Sequence, residues 1–261
     1  MGISRSAVPN ERCPIGLEGL ALSARFDTRW YGIDTGATPA LMFANTLDWR
    51  LREQPVELLR DPEDLLRWAW SAGVMELGEA EELRTWCAEH PRRAVRALER
   101  ARELREAVAD IFQARASGAI PEGALTILER FHLEASGARA LRAHGAEVHW
   151  EWRDGSPSPG RGALSKSQGS PRAPRAAFRT NRVNPKLERI AWAVALDAVR
   201  LLTGPEGDRV RQCADAQCGW FFLDESRNRS RRWCSMETCG NRNKARRFYR
   251  RASSPSPDHP A

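Results

Sequence analysis

Four cysteines within 27 residues, Cys213, Cys218, Cys234 and Cys239, constrain this chain more than any other feature. Their pattern is C-x4-C-x15-C-x4-C, two close pairs separated by enough chain for a hairpin. Two such pairs bring four donors together from two directions, as a tetrahedral zinc ion requires. Four thiolates leave no position open for water or substrate, so the expected ion is structural rather than catalytic. Two disulfides or an iron–sulfur cluster are the alternatives. No continuous apolar segment precedes a cleavage site near the N-terminus, so a reducing, cytoplasmic setting is expected, and that favours metal over disulfides. Cys13 and Cys87 have no cysteine or histidine at ligand spacing and are read as packing residues.

The sequence around the cysteines supports a small metal-dependent unit over residues 205–251. Trp220-Phe221-Phe222-Leu223 is a short strand-like run, and Asp224 to Arg229 supplies turn residues. So few residues do not make a sufficient core alone, whereas structural zinc contributes on the order of 10–16 kcal/mol in finger peptides. After Cys239, Asn241 to Arg251 reads as a basic helix with Arg242, Arg246 and Arg250 on one face and Arg247 beside it; Phe248 is expected to face the zinc module. A second basic cluster, Arg227, Arg229, Arg231 and Arg232, precedes Cys234. Together with Lys244 these side chains form a candidate nucleic-acid-binding set, since guanidinium and ammonium groups suit phosphate. The competing readings are a solvated face, or pairing with an acidic N-terminal domain.

Charge is unevenly distributed. Residues 1–152 carry 19 basic and 24 acidic side chains, residues 153–186 carry 8 and 1, and residues 187–261 carry 14 and 9. The excess of positive charge in the second half points to an anionic partner there.

Ahead of the cysteines the pattern is mainly helical. Residues 1–28 are read as a poorly ordered leader and 29–152 as a helical domain. Thr38-Pro39 and Asp61-Pro62 each resemble an N-cap followed by a first-turn proline. Leu41, Ala44, Asn45, Leu47 and Leu51 then continue at helical spacing from the first, and Leu65, Leu66, Trp68 and Ala69 from the second, toward a stop at Gly73. Further helices are expected over Ala80 to Glu89, Pro91 to about Ala116, and Glu122 to Glu134. Val148, Trp150 and Trp152 alternate with His149 and Glu151, which predicts a strand in a hairpin. Residues 153–182 are rich in Gly, Ser, Pro and Arg and read as a flexible basic linker. Asn184-Pro185 opens a connecting helix within 183–204, and 252–261 reads as a disordered tail. The expected fold is thus mainly α: a helical N-terminal domain with a small β-hairpin, plus a small C-terminal zinc finger of hairpin and basic helix.

The segment from Arg211 to Arg251 resembles the CGNR zinc finger, named for the residues seen here as Cys239-Gly240-Asn241-Arg242. The four cysteines, Trp220, Phe222, Ser226-Arg227-Asn228 and Arg231-Arg232-Trp233 carry the resemblance. That finger usually follows an ABATE domain, and Asn45 to Arg50, "NTLDWR", looks like its opening helix. The resemblance implies a stress-induced bacterial transcription regulator, with the finger as the DNA-binding part and the N-terminal domain sensing a ligand or partner. An RNA- or protein-interaction module is the alternative, with Trp220, Trp233 and Tyr249 as candidate contact aromatics, although buried packing is the expected role of both tryptophans, which flank ligands. An enzyme is not expected: no phosphate-cradling glycine loop, G-x-S-x-G elbow or H-E-x-x-H pair occurs, and His132 and His149 read as ordinary helix and strand residues. Trp49, Trp68, Trp70 and Trp86 read as core rather than as a ligand cage.

Overall fold

Helix starts in this chain are set by side chains that capture the first free N–H groups. In the computed structural model, which describes residues 38–153 and 184–252, Thr38 Oγ1 accepts from the Leu41 N–H and opens α1 (Pro39–Ala44). Asp61 does the same for Asp64 N–H at 2.9 Å and opens α2 (Pro62–Ser71). Asn184 does it for Lys186 N–H at 3.0 Å at the start of α6 (Pro185–Thr203). Each cap is followed by proline at the first helical position, where a missing N–H costs nothing. The expected leader 1–28 lies outside the described residues, as do the linker 153–182 and tail 252–261 apart from Arg153 and Ala252.

Between these anchors run α3 (Leu77–Glu89), α4 (Pro91–Ser117) and α5 (Glu122–Gly137). The molecule is mainly helical, as expected. The 27-residue α4 is its spine and ends at Gly118, whose φ of 92° is a left-handed cap that favours glycine. Leu98, Ala101, Leu104, Val108 and Ile111 form its buried stripe. α6 packs against α1, α4 and α5 and buries Leu187, Ile190, Val194, Ala198 and Leu201. Trp68 is buried against Phe43, at a centroid distance of 4.6 Å, and Trp86 stacks on His90 at 4.7 Å.

Among the described residues, three two-stranded antiparallel sheets decorate this bundle. β1 (Leu47–Asp48) pairs with β2 (Val56–Glu57). β3 (Arg139–His144) pairs with β4 (Glu147–Trp152), with Leu141 opposite Trp150 and Ala143 opposite Val148. The alternation predicted for Val148 to Trp152 is therefore a hairpin strand. β5 (Val210–Gln212) pairs with β6 (Phe221–Leu223) and leads to α7 (Asn241–Ala252).

One expectation fails. The helical pattern predicted to run from Leu41 through Leu51, with NTLDWR inside it, stops at Ala44. The reason is tertiary. Asn45 is buried and uses its side chain on another part of the chain, and Thr46, also buried, accepts from Arg105 at 3.3 Å. Leu47 and Asp48 turn into β1, and Trp49 adopts a left-handed φ of 53°.

Among the described residues no helix is long and apolar enough to cross a membrane.

Candidate metal centre and nucleic-acid interface

The metal centre is assembled from two knuckles, each tied by its own hydrogen bonds. In the first, the Cys213 N–H donates to Trp220 O at 2.8 Å, extending the β5–β6 hairpin. Asp215 caps the loop by accepting from Gln217 N–H at 3.0 Å. In the second, Arg231 Nε donates to Trp233 O at 3.0 Å, its Nη2 donates to Cys234 O, and its guanidinium lies 4.7 Å from the Phe222 ring centre. Ser235 Oγ accepts from Thr238 N–H and shapes the turn Met236–Gly240 that carries Cys239. The knuckles are joined where the Ala214 N–H donates to Arg232 O at 2.9 Å.

This scaffold buries all four cysteines and places their Sγ atoms within 4.8 Å of one another. Cys218 and Cys234 Sγ are 3.7 Å apart, and Cys234 and Cys239 Sγ 3.5 Å. Zn–S bonds of about 2.3 Å directed to a tetrahedron separate sulfurs by about 3.8 Å, so the donor set fits one structural zinc ion. The sulfurs already share hydrogen bonds. At this separation they compete for protons, and a bound zinc ion would hold all four as thiolates. Cys87, by contrast, is pushed up to about 11 by burial, as an inert packing thiol would be.

Two buried acids organise the loops and helix around the cysteines. Asp224 accepts from Ser226 N–H (3.0 Å), Ser226 Oγ (2.5 Å) and Arg231 N–H (3.0 Å), which folds the 224–231 loop. Burial alone would raise its pKa, but these bonds outweigh burial and hold it below the usual carboxylate range. Asp215 is fully buried and receives three side chains from α7: Asn243 Nδ2 at 2.8 Å, Arg242 Nη1 at 3.0 Å and Arg246 Nη1 at 3.5 Å. Arg242 Nη1 also lies 3.8 Å from Cys239 Sγ, where its charge offsets that of the thiolates. Neither Asp215 nor Asn243 was singled out from sequence, because an isolated Asp in a polar loop carries no local signal.

The predicted basic residues therefore divide. Arg231 and Arg242 are engaged inside the module, and Arg246 bonds Gln217 at 3.1 Å as well as Asp215. Arg227, Arg229 and Arg232 are exposed on the loop, with Arg229 in a left-handed φ of 49°. Lys244, Arg247 and Arg250 are exposed on α7. Phe248 corrects an expectation: it does not face the zinc module but is 69% exposed, because Asp215 has drawn the Arg242–Arg246 side of the helix inward.

NTLDWR is where the finger meets the helical domain. Asn45 Nδ2 donates to Phe221 O at 2.9 Å while its Oδ1 accepts from Phe221 N–H at 2.8 Å, so one amide satisfies both backbone groups of a β6 residue. Asp48 accepts from Trp220 Nε1 at 2.9 Å. Trp49 lies 4.4 Å below the guanidinium of Arg242, the last residue of the CGNR tetrad. Arg50 pairs with Glu106 of α4 and donates to Ala44 O at 3.0 Å. Gly219, at φ 74°, passes so close that a Cβ there would meet Arg50 Cβ at 2.9 Å. Phe221 itself packs on Phe112 of α4, 5.9 Å between ring centres.

Comparison with known families agrees with this division. The CGNR zinc finger model matches residues 209–252. The ABATE model, described as "Putative stress-induced transcription regulator", matches residues 37–205. No curated protein matches the chain. The boundary between the two matches falls in the turn after α6, and α6 itself lies inside the ABATE match.

Proposed function

Since this chain belongs to the ABATE family and carries a CGNR zinc finger behind that domain, we propose that it is a cytoplasmic transcription regulator that binds duplex DNA through the finger. The reading includes no catalytic role. Its main support is α7, which has six basic and no acidic residues from Asn241 to Ala252. Such a helix would repel itself less in solution without so many like charges, and a polyanion is the partner that offsets them. Its inner side is tied to Asp215, so the rest of the helix is held at a defined angle for contact. The exposed Arg227, Arg229 and Arg232 add positive charge from the adjoining loop.

The helical domain, in this reading, positions the finger and passes to it a stress-related signal through NTLDWR. The contact of Trp49 with Arg242 supports that route, because it joins the first domain to a residue touching a zinc ligand.

The test is binding of the zinc-loaded full chain to duplex DNA over a salt series. Affinity is expected to fall steeply with salt, and the Lys244→Ala/Arg247→Ala double variant should flatten the log–log slope by about 2 with zinc content unchanged. Absence of binding at low salt, with retention of RNA or a protein from the same cell instead, would replace this reading with that of an interaction module.

A further inference from the structure

The two sides of α7 differ in what they can do. Arg242, Asn243 and Arg246 point toward Asp215, and Asn243 also donates to Cys239 O at 2.9 Å. Lys244, Arg247 and Phe248 stand at i, i+3 and i+4, so they share a different face, and all three are exposed. Phe248 is 69% exposed, with Tyr249 edge-on at 5.8 Å. A phenyl ring displayed to water on a helix with no acidic residue forgoes the burial that most large apolar side chains obtain.

Positive charge also lies near the start of the helix. Arg232 lies over Trp233 at 5.3 Å, and Trp233 Cδ1 is 3.3 Å from where a Cβ on Gly240 would sit. Exposed positive charge thus borders the N-terminal end of α7 as well as its outer side.

Resting on the DNA-binding reading above, we propose that the Lys244–Arg247–Phe248 face of α7 enters the major groove and that Phe248 reads the 5-methyl group of thymine. An α-helix with its side chains is about 10–12 Å across, which matches a major groove of about 12 Å and not a minor groove of about 6 Å. Lys244 and Arg247 flank the ring and reach phosphates, which positions the helix without reading sequence. The ring has neither donor nor acceptor. In the major groove the apolar feature that it can distinguish is the thymine methyl. The finger therefore prefers sites with A·T pairs under this residue.

The experiment compares binding of the zinc-loaded full chain to two duplexes, alternating d(A-T) and the same duplex with deoxyuridine for every thymidine. The methyl groups are then the difference between them. Wild type is expected to bind the deoxyuridine duplex about fourfold more weakly. Phe248→Ala should bind both equally, with an unchanged salt slope and an unchanged zinc content that shows the finger intact. Equal, salt-dependent binding of the two duplexes by wild type overturns the proposal and leaves DNA binding standing. Persistent discrimination by Phe248→Ala also overturns it. Binding of neither duplex at low salt defeats the DNA reading and this inference together. Tighter binding of a single-stranded thymidine oligomer than of the duplex, lost in Phe248→Ala, assigns the ring to base stacking and overturns the groove contact.

Discussion

The helical domain and the finger have interiors of opposite kinds. Around α4 and α6 the buried side chains are mostly apolar, such as Leu104, Ile111, Phe131, Ile190 and Val194. In the finger four cysteines and two acids, Asp215 and Asp224, occupy the centre, and the apolar part is the run Trp220 to Leu223. That run faces the helical domain through Asn45, Asp48 and Phe112. Hydrophobic burial holds one region, metal and hydrogen bonds hold the other, and β6 belongs to both.

Removing the metal should separate the two regions most strongly. Cys218→Ser, or chelation, should unfold the finger, since structural zinc is worth about 10–16 kcal/mol in small fingers. Far-UV circular dichroism should retain most of its helical signal while metal analysis reads zero. Loss of the helical signal at the same chelator concentration would mean that the first domain has no core of its own.

A smaller effect is expected from Asn45→Ala. It leaves the N–H and C=O of Phe221 unpaired at a buried junction, at a cost of about 2–4 kcal/mol. Thermal denaturation of the zinc-loaded protein should register that loss, and Asn45→Asp should not recover it, because a carboxylate accepts from the Phe221 N–H but sets a buried, unpaired oxygen against the Phe221 carbonyl.

The smallest effect concerns pH, and the two regions should respond with opposite signs. Asp224 has a depressed pKa in the folded finger, so its stabilisation is present above its unfolded pKa and is lost as pH falls through the folded value. Glu188 in α6 is shifted the other way: burial raises its pKa, against the lowering influence of Arg100. Its contribution is therefore most favourable below its unfolded pKa and declines as pH rises through the folded one. Denaturant titrations over mildly acidic pH should show that Asp224→Asn and Glu188→Gln each flatten the pH dependence, in opposite directions. Equal slopes in both variants would contradict the assignment.

Much of the architecture is legible along the chain because its signals are local. Thr38-Pro39, Asp61-Pro62 and Asn184-Pro185 mark helix starts through bonds spanning two or three residues. The β4 alternation and the four-cysteine spacing are local in the same sense. The end of α1 is not. Leu47 and Leu51 continue a helical pattern, but Asn45 is taken by Phe221, 176 residues away.

The orientation of α7 shows the same limit on a smaller scale. Its basic character can be read directly from Asn241 to Arg251, and so can the existence of two faces. Which face turns inward depends on Asp215, a fully buried carboxylate 27 residues before Arg242 that must be neutralised where it lies. By itself, then, the sequence determined the metal ligands, the helical class and the charge of the last helix, because spacing and composition act over short range. The tertiary structure decided where NTLDWR turns and which side of α7 is displayed, because buried polar groups choose partners by proximity in space.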